Sequence, residues 1–411
     1  MKLLLSAYAC EPDIGSEQEV GWRWAMEMAR YCEVTVVTRS NSKPLIDGWI
    51  AKHPNEQIPR FVYVDLGLWA RILKKRVPGG IYVYYGLWQM RLRKVCDKLI
   101  KEESYDLGHH ITFASYRQPV GLHGLPLIWG PVGGGDMAPW ELMRNHGTCA
   151  GRLRELFRNL MTRIANRCLF LTRPSKADLR FAMATTPATQ EILMRSGIPC
   201  ILMPTIGCDA ADTARDKNVR RQDRIRLLFV GRLHLLKGIH LLLHALAHIP
   251  AGSFHLDIVG SGPERGRLLA LTKKLSISDS VTFLGHMRRE ELENVYVSHD
   301  VIIAPSLYES GGLSVLEAFA HCLPAIVLDC GGHALSVAEG CGFRIPIHLS
   351  QNETVIALAE AIQRYVDQPH LITQHGRNAY THLRNAYDWD QKRTAMFELY
   401  QLAMASEPSH S

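Results

Sequence analysis

Short apolar runs alternate with segments of helical periodicity along most of the chain, for example at 227–230 and 301–304. Runs of this kind are too short for buried helices, and they lack the polar alternation of a half-exposed strand. They are typical of strands buried on both faces of a parallel sheet. The pattern therefore predicts an α/β protein, and 411 residues are enough for two or three domains.

The stretch from Val301 to Ala320 is the most informative about function. An apolar strand at 301–304 is followed by a glycine-containing loop and by a predicted helix that begins at Leu313. The N-terminus of that helix presents free backbone N–H groups and the positive end of its dipole, which favours an anion such as a phosphate. Glu309 and Glu317 stand eight positions apart and could accept hydrogen bonds from sugar hydroxyls. Alternatively, Glu309 could be a solvated loop acid and Glu317 a capping acid in an early helix turn.

A second loop of this kind follows the apolar strand at 227–230. Gly231 ends the strand, and Arg232 and Lys237 come after it. Two such cations suit a diphosphate that is held without a metal ion, although they could also be solvated charges of a basic protein. A further Gly-x-Gly turn at 260–262 has its third glycine one residue too late for a dinucleotide-binding sequence.

These segments carry a family resemblance. The run from Pro305 to Ala318, followed by 320–327 and the paired glycines Gly331 and Gly332, closely resembles the donor-site signature of retaining glycosyltransferases of family 4, which have the GT-B fold. Several motifs follow in the family's order over 225–346, and the first half of the chain is similar more loosely. The resemblance implies two Rossmann-like, doubly wound domains that face each other across a cleft.

The resemblance also implies roles for individual residues. Arg232 and Lys237 would hold the diphosphate of a nucleotide-sugar, Glu317 its ribose and Glu309 the donor sugar during catalysis. Backbone N–H groups of 311–313 would complete the phosphate cradle. The further donor-binding residues would be Gly231, Gly285, His286, Ser310, Gly311, Gly312 and Leu313. No metal or other cofactor is expected, because the nucleotide-sugar is a substrate and the Asp388–Asp390 pair is better explained as a helix cap.

The first half of the chain contains candidate acceptor loops. Gly15, Ser16 and Glu17 follow the first predicted strand, and Gly133 and Gly134 follow a later one. In the resembled family such loops face the cleft, and the Gly-Ser-Glu version is similar to a subgroup of surface-polysaccharide enzymes.

A predicted strand at 105–114 carries two adjacent histidines, His109 and His110. In the resembled family, a histidine at the end of this strand often contacts the transferred sugar. Either histidine could have that catalytic role, and the sequence does not decide between them. They could also be a structural pair.

By the same resemblance, residues 1–205 are expected to form an acceptor-binding domain and residues 206–385 a donor-binding domain. Residues 386–411 are expected to form a last helix that crosses back to the first domain, followed by a disordered tail.

Composition and charge bear on location and partners. Ten cysteines without a Cys-x-x-Cys pair, and the absence of an apolar run near the roughly 20 residues of a membrane span, favour a cytoplasmic protein. Residues 1–200 hold 27 Lys and Arg against 18 Asp and Glu, which suggests an anionic partner of the acceptor half. No stacking-aromatic or groove-reading motif accompanies this charge, so a nucleic acid is not expected.

Residues 151–164 combine one apolar helical face with several arginines. This pattern is typical of a helix that lies on an anionic membrane surface, although most such faces simply pack on a core. The sequence leaves both interpretations open. The first would place the protein at the inner face of a membrane.

The function expected from all of this is a metal-independent, retaining transfer of sugar from a nucleotide-sugar donor to an acceptor. The acceptor is expected to be a saccharide or lipid-linked saccharide in the biosynthesis of an exopolysaccharide or cell-surface polysaccharide. A sugar-nucleotide epimerase of the same fold, or a catalytically silent partner subunit, are the alternatives. The donor base, the sugar and the oligomeric state do not follow from these residues.

Overall fold

The computed structural model describes residues 1–14, 16–77, 79–144, 146–167, 174–209 and 224–406. The chain forms two compact units. The first contains Met1–Gly135, Thr162–Thr205 and the chain from Lys392, and the second contains Asp136–Met161 and Ile206–Gln391.

The first unit is built on a seven-stranded parallel sheet of order β3-β2-β1-β4-β5-β6-β7. Its central strands are buried on both faces, as their continuous apolar runs require. The strands are β1 (Lys2–Ala7), β2 (Glu33–Arg39), β3 (Arg60–Val64), β4 (Leu107–Thr112), β5 (Leu127–Val132), β6 (Leu179–Ala184) and β7 (Cys200–Leu202). The helices of this half of the chain are α1 (Ser16–Ala29), α2 (Lys43–Lys52), α3 (Leu68–Arg76), α4 (Gly80–Glu102), α5 (Cys149–Arg167) and α6 (Pro187–Arg195).

The second unit repeats this plan with a six-stranded parallel sheet of order β10-β9-β8-β11-β12-β13. The strands are β8 (Ile225–Val230), β9 (Phe254–Val259), β10 (Val281–Gly285), β11 (Val301–Ala304), β12 (Ala325–Asp329) and β13 (Gly342–Pro346). The helices are α7 (Ile239–Leu246), α8 (Arg265–Lys274), α9 (Arg289–Ser298), α10 (Leu313–Ala320), α11 (His333–Ser336), α12 (Gln351–Asp367) and α13 (His370–Ala386). Two apolar clusters of buried residues cover this sheet.

Both sheets therefore have the strand order of a doubly wound Rossmann-like fold, which confirms the predicted fold class. The order reverses between β1 and β4 in the first unit and between β8 and β11 in the second. Ligands of such sheets bind beside the carboxyl ends of the strands at this switch point. Each unit thus has one place where a site is expected.

One segment differs from the predicted boundaries. Residues 136–161 precede position 205 and were expected in the first domain, but they belong to the second unit. Apolar packing explains why: Ala138, Leu142 and Met143 are buried in the core cluster of the second unit. Histidine contacts add to it, since the ring of His146 stacks on His240 of α7 at 4.2 Å, and the Nε2 atom of His240 lies 3.1 Å from the carbonyl oxygen of Leu142.

The last helix, α14 (Trp389–Ala405), belongs to the first unit from Lys392 onward. The Arg393 guanidinium donates to the Glu27 carboxylate at 2.6 Å, and the Tyr400 hydroxyl lies 2.7 Å from Nδ1 of His109. The predicted tail beyond position 406 lies outside the described residues. Among the described residues, no helix is both long and apolar enough to cross a membrane.

Candidate functional site

Several predicted donor residues of the second unit lie on the two loops at its switch point. β8 and β11 are neighbours in the sheet, with Leu227 paired to Val301, so the loops that follow them leave the sheet side by side. The loop after β8 contains Gly231 and Arg232, and the loop after β11 contains Glu309. Two segments about 75 residues apart in the sequence are therefore brought together.

A glycine fixes the distance between these two loops. A short helical turn at 235–237 ends at Gly238, whose φ is +63°. A Cβ atom at this position would lie 1.9 Å from the carbonyl oxygen of Pro305, so only glycine allows the approach. The N–H group of Leu307 donates to the carbonyl of Leu236 at 2.7 Å and closes the contact. As a result, the Lys237 side chain reaches the loop after β11.

Glu309 is held at the N-terminus of α10 as a bound anion would be. One carboxylate oxygen lies 2.6 Å from Nζ of Lys237. The other accepts from the backbone N–H groups of Ser310, Gly311 and Gly312 at 3.2, 3.4 and 3.2 Å. Free N–H groups and a cation at a helix N-terminus favour negative charge. The backbone donors and the cation that the sequence predicted for an anion thus point to a carboxylate of the same loop.

The charge of Glu309 reflects this setting. Burial alone would raise its pKa, but the neighbouring Lys237 and His333, together with the hydrogen bonds from Lys237 and from the backbone of Gly312, outweigh burial and lower the pKa to about 2. The carboxylate is therefore ionised at any physiological pH. It can accept hydrogen bonds but cannot donate a proton.

These hydrogen bonds bear on the prediction that the backbone N–H groups of 311–313 bind a phosphate. The N–H groups of Gly311 and Gly312 point to Glu309, so a phosphate can reach them only if the Glu309 side chain moves. Leu313 is the first residue of α10, directly after these donors.

Positive charge surrounds the same loop. Arg232 is exposed, and His234 lies on the same loop after β8. Burial, together with the nearby Lys237, Arg232 and Arg154, lowers the pKa of His234 to about 4 against the opposite effect of Glu309, so His234 is neutral near pH 7. The cations near His234 are therefore Arg232 and Lys237, the pair that the sequence predicted for a diphosphate, and Arg154.

Glu317 has different surroundings from Glu309. It lies in the second turn of α10, where it accepts a hydrogen bond of 2.9 Å from the Tyr296 hydroxyl. Burial raises its pKa, opposed by that hydrogen bond and by Arg289. Glu317 is thus a buried acceptor with a raised pKa next to a tyrosine, whereas Glu309 is a carboxylate with a lowered pKa next to a lysine.

Two further predicted donor residues follow β10. Gly285 has a φ of +80°, and its carbonyl oxygen accepts from the N–H group of Gly260 at 2.7 Å. His286 is exposed at the same edge of the sheet. β9 separates them from the Lys237–Glu309 pair in the sheet order.

The acceptor loops of the first unit lie at the carboxyl ends of its strands. Ser16 and Glu17 begin α1, and the Glu17 carboxylate accepts from the backbone N–H group of Phe113, directly after β4. Gly133 follows β5, donates to the carbonyl of Ala114 at 2.9 Å and precedes Gly134, which has a φ of +109°. Gly15 lies outside the described residues.

His109 and His110 are placed differently from the catalytic prediction. Nδ1 and Nε2 of His109 lie 2.7 Å from the Tyr400 hydroxyl and 2.7 Å from the carbonyl of Gly130. Those of His110 lie 2.9 Å from the hydroxyls of Ser6 and Tyr85. Burial lowers the pKa to about 3 for His109 and about 4 for His110. β4 continues to Thr112, so both histidines lie inside the core and not at the end of the strand. All four ring nitrogens have hydrogen-bond partners there. Their placement is therefore that of a structural pair.

Comparison with known proteins connects this geometry to a family. Residues 210–382 match the family model described as glycosyl transferases group 1. Most of the second unit is thus similar to glycosyl transferases group 1. A D-inositol 3-phosphate glycosyltransferase of Gordonia bronchialis is 32% identical over 251 residues, which cover 56% of this chain and 54% of that protein. The chain thus spans about half the length of the curated relatives it matches.

Solved structures extend the likeness to the whole fold. The sucrose-phosphate synthase of Thermosynechococcus elongatus is similar with a TM-score of 0.67 and 21% identity, over 98% of this chain and all of that one. HepE of Anabaena in complex with UDP-glucose has a TM-score of 0.59 and 17% identity, over 98% and 100% of the two chains. At these identities the likeness concerns the GT-B fold alone.

Two residues of the second unit were not predicted. His333 begins α11 and is buried against the loop, since a Cβ atom on Gly312 would lie 2.9 Å from its ring. Its pKa falls to about 4 through burial, against the opposite effect of Glu309. Tyr296, the hydrogen-bond partner of Glu317, lies in α9 before β11. The signal for His333 was its position directly after the paired glycines 331 and 332.

The paired aspartates at the start of α14 have a structural role. A side-chain oxygen of Asp388 accepts from the backbone N–H group of Asp390 at 2.9 Å, as in a helix N-cap.

Proposed function

We propose that the protein is a retaining glycosyltransferase that uses a nucleotide-sugar donor and binds its diphosphate at the β8–β11 switch point. The observation that carries this proposal is the Lys237–Glu309 pair at the N-terminus of α10, with Arg232 beside it. It is an anion site on the domain that matches glycosyl transferases group 1. HepE, which shares the fold, holds UDP-glucose, so a uridine nucleotide is the first donor to test.

In this proposal the donor displaces the Glu309 carboxylate from its hydrogen-bond partners. The diphosphate takes over Lys237 and the backbone donors at 310–312, and the released Glu309 carboxylate accepts hydrogen bonds from hydroxyls of the donor sugar. Lys237 and Arg232 then stabilise the charge that develops on the leaving diphosphate, without a metal ion. Glu317 would hold the ribose.

The proposed acceptor is a saccharide carried on a lipid, in the biosynthesis of a cell-surface or secreted polysaccharide. Support comes from α5, whose apolar side chains are exposed: Phe157 is 63% exposed and Leu153 68%. Leu156, Leu160, Met161 and Ile164 of the same helix are also exposed. The buried residues of this helix are polar, among them Glu155 and Thr162. An amphipathic helix that packs by its polar side suits contact with a membrane surface.

The arginines of α5 do not contribute equally to this surface. Arg154 and Arg163 are exposed. Arg158 lies over the ring of Tyr308 at 4.1 Å, and Arg152 donates to the carbonyl of Arg144. We therefore place the membrane contact on Arg154, Arg163 and the apolar face, and not on Arg152 and Arg158.

The donor proposal is tested by thermal denaturation of the full chain with UDP, GDP and ADP. A ligand at a hundred times its dissociation constant stabilises the folded protein by about 2.7 kcal/mol, so one nucleotide should raise the melting temperature clearly above the other two. The matching nucleotide-glucose should then yield a product with the donor's anomeric configuration. No shift with any nucleotide would contradict the proposal, and inversion would contradict its stereochemistry.

The membrane proposal is tested by sedimentation with anionic and with neutral vesicles. Phe157→Ser with Leu160→Ser should reduce pelleting with anionic vesicles, and high salt should reduce it for the unaltered chain. Ile356→Ser with Leu402→Ser, two exposed apolar residues outside α5, is the matched control. Equal pelleting of all three proteins, or none with any vesicle, would contradict a membrane role of α5.

A further inference from the structure

A third loop, which follows β12, packs against the loop that carries Glu309. The N–H group of Gly332 donates to the carbonyl of Glu309 at 2.8 Å. A Cβ atom on Gly331 would lie 2.0 Å from the same carbonyl oxygen, and one on Gly332 would lie 2.6 Å from that of Ser310. Only glycines allow so close an approach. The contact places His333, the next residue, beside the N-terminus of α10.

His333 and Ser336 of α11 bring polar atoms without partners to the start of α10. The point where a Cβ atom on Gly312 would lie is 3.2 Å from Nε2 of His333 and 3.6 Å from the hydroxyl oxygen of Ser336. His333 is 1% exposed, and Ser336 is fully buried. Among the residues that the structure describes, Nδ1 of His333 and Oγ of Ser336 have no hydrogen-bond partner. Buried polar groups of this kind are costly, so they indicate a role that involves a ligand.

The charges that act on the His333 ring belong to the donor loops. Burial lowers its pKa to about 4; Glu309 acts in the opposite direction, and Lys237 adds to the lowering. The free protein therefore holds His333 neutral near pH 7. A larger negative charge in the place of the Glu309 carboxylate would raise the pKa.

Other titratable groups packed around α11 have partners of their own. Arg344 of β13 lies 3.7 Å from Asp329, and the Cys330 thiol donates to the carbonyl of Ser306 at 3.0 Å. His382 of α13 is hydrogen-bonded to the backbone of α11, which raises its pKa against the larger, lowering effect of burial. The electrostatic response of His333 is thus set by Glu309, by Lys237 and by any anion that binds between them.

The proposed donor would change the balance of charge at this place. Each phosphate of a nucleotide-sugar is a diester with one negative charge, and the displaced Glu309 carboxylate remains on the same loop. Lys237 is a partly buried cation there, with 22% of its side chain exposed. Arg232 and Arg154 are exposed, so water and salt weaken their effect. A further buried positive charge would therefore be favoured when the donor binds.

Two histidines lie close enough to Glu309 to supply that charge, His234 and His333. Burial lowers the pKa of both to about 4. The neighbouring cations of the site come next among the influences on His234, and all of them oppose its protonation. For His333 the next influence is Glu309, which favours protonation. His333 is also the histidine with an unpartnered ring nitrogen.

We propose that His333 takes up a proton from solvent when the donor diphosphate binds, and that its imidazolium is the buried counter-charge of the diphosphate. This inference rests on the proposed function and adds a residue to its donor site. Nε2–H would face the diphosphate, and the Ser336 hydroxyl would accept from Nδ1–H. The same charge would stabilise the diphosphate as it leaves the sugar.

The test uses isothermal titration calorimetry of the full chain with UDP-glucose, or with the nucleotide-glucose that the thermal screen selects. Its phosphates do not titrate between pH 5.5 and pH 8, unlike the terminal phosphate of UDP. Titrations over this range in PIPES and in Tris, which differ in ionisation enthalpy, give the number of protons taken up with the donor. The variants are His333→Gln, Ser336→Ala and His234→Gln. His248→Gln, which alters an exposed histidine of the same unit, is the control.

The unaltered chain should take up protons with the donor, and its dissociation constant should fall with falling pH by at most about tenfold per pH unit. His333→Gln should lose this proton uptake, and its affinity deficit should be largest at pH 5.5. Ser336→Ala should reduce the uptake in part. His234→Gln and His248→Gln should take up protons like the unaltered chain.

Several results would overturn the role of His333. One is donor binding by the unaltered chain without proton uptake, which needs no variant to be measured. Another is undiminished uptake in folded His333→Gln, and a third is loss of the uptake in His234→Gln, which would assign the proton to that residue. Absence of donor binding at every pH would contradict the donor proposal itself, so the two failures are distinguishable.

Discussion

The two units share one strand order but build their switch points in different ways. In the second unit, the cations and the acid come from two loops, and each loop is contiguous in sequence with the strand that precedes it. In the first unit, the polar groups come from the ends of β1 and β2, from the start of α1 and from α3, with Phe113 contributing its backbone. A site made of two contiguous segments can be recognised in a sequence. A site whose residues come from five separate elements cannot.

The units also differ in what fills the site. The second unit has an ionised carboxylate that occupies its own anion site, while the first has a tyrosine, Tyr8, between two cations, Arg39 and Lys74. We infer that donor binding in the second unit requires a partner exchange at Glu309.

The largest effect is expected for Glu309→Gln. Gln keeps the shape but removes the charge, so the donor sugar should be positioned less well and turnover should fall on the order of a hundredfold. Affinity for the nucleoside diphosphate should not fall, because the side chain no longer competes for Lys237 and the backbone donors. Steady-state kinetics and calorimetry measure the two quantities. A parallel loss of both would mean that Glu309 contacts the nucleotide directly.

For Glu317→Gln we expect a smaller effect, and we expect it on nucleotide affinity and not on turnover. The proposed ribose contact exists before and during the reaction, so its loss weakens the donor complex without a selective effect on the chemical step. Nucleoside diphosphate affinity should fall about five- to tenfold, as for one hydrogen bond of about 1 to 1.5 kcal/mol. The Tyr296→Phe variant, which leaves the carboxyl group in place, should change affinity less. A reduced turnover number at saturating donor would contradict this assignment.

The same contrast explains which parts of the fold and of the site could be predicted from the sequence. Continuous apolar runs predicted the parallel sheets, and the Arg232–Lys237 and Glu309–Glu317 segments were predicted because each lies directly after a strand. The tertiary hydrogen bonds were not predictable: nothing local to His109 and His110 indicates that Tyr400, Ser6 and Tyr85 saturate their rings. Residues 136–161 belong to the second unit through the burial of Leu142 and Met143 and the stacking of His146 on His240, contacts that depend equally on distant partners.

The smallest effect is expected for His110→Gln, which tests whether His110 has a structural role. Its pKa is lowered from 6.5 to about 4, so its contribution to stability is fully present above pH 6.5 and is lost as the pH falls towards 4. One such group changes the free energy of unfolding by at most about 1.4 kcal/mol per pH unit. In His110→Gln, the drop in melting temperature between pH 6.5 and pH 4.5 should therefore be smaller by a few degrees.

The control for this experiment is His286→Gln, because His286 is exposed. It should show the same pH dependence of the melting temperature as the unaltered chain. If His110→Gln instead kept the full pH dependence and lost turnover, His110 would be a functional residue and the first unit's site would have to include it.

The most direct test of the account is calorimetric binding of UDP to the unaltered chain, Arg232→Ala, Lys237→Ala and the control Lys273→Ala, an exposed lysine in the last turn of α8. GDP and ADP replace UDP if the thermal screen selects one of them. The account predicts that each of the first two variants loses roughly 1.5–3 kcal/mol of binding free energy, the range for hydrogen bonds to charged groups, while the control binds normally. Unchanged affinity in folded Arg232→Ala and Lys237→Ala proteins would contradict the claim that the β8–β11 switch point holds the diphosphate.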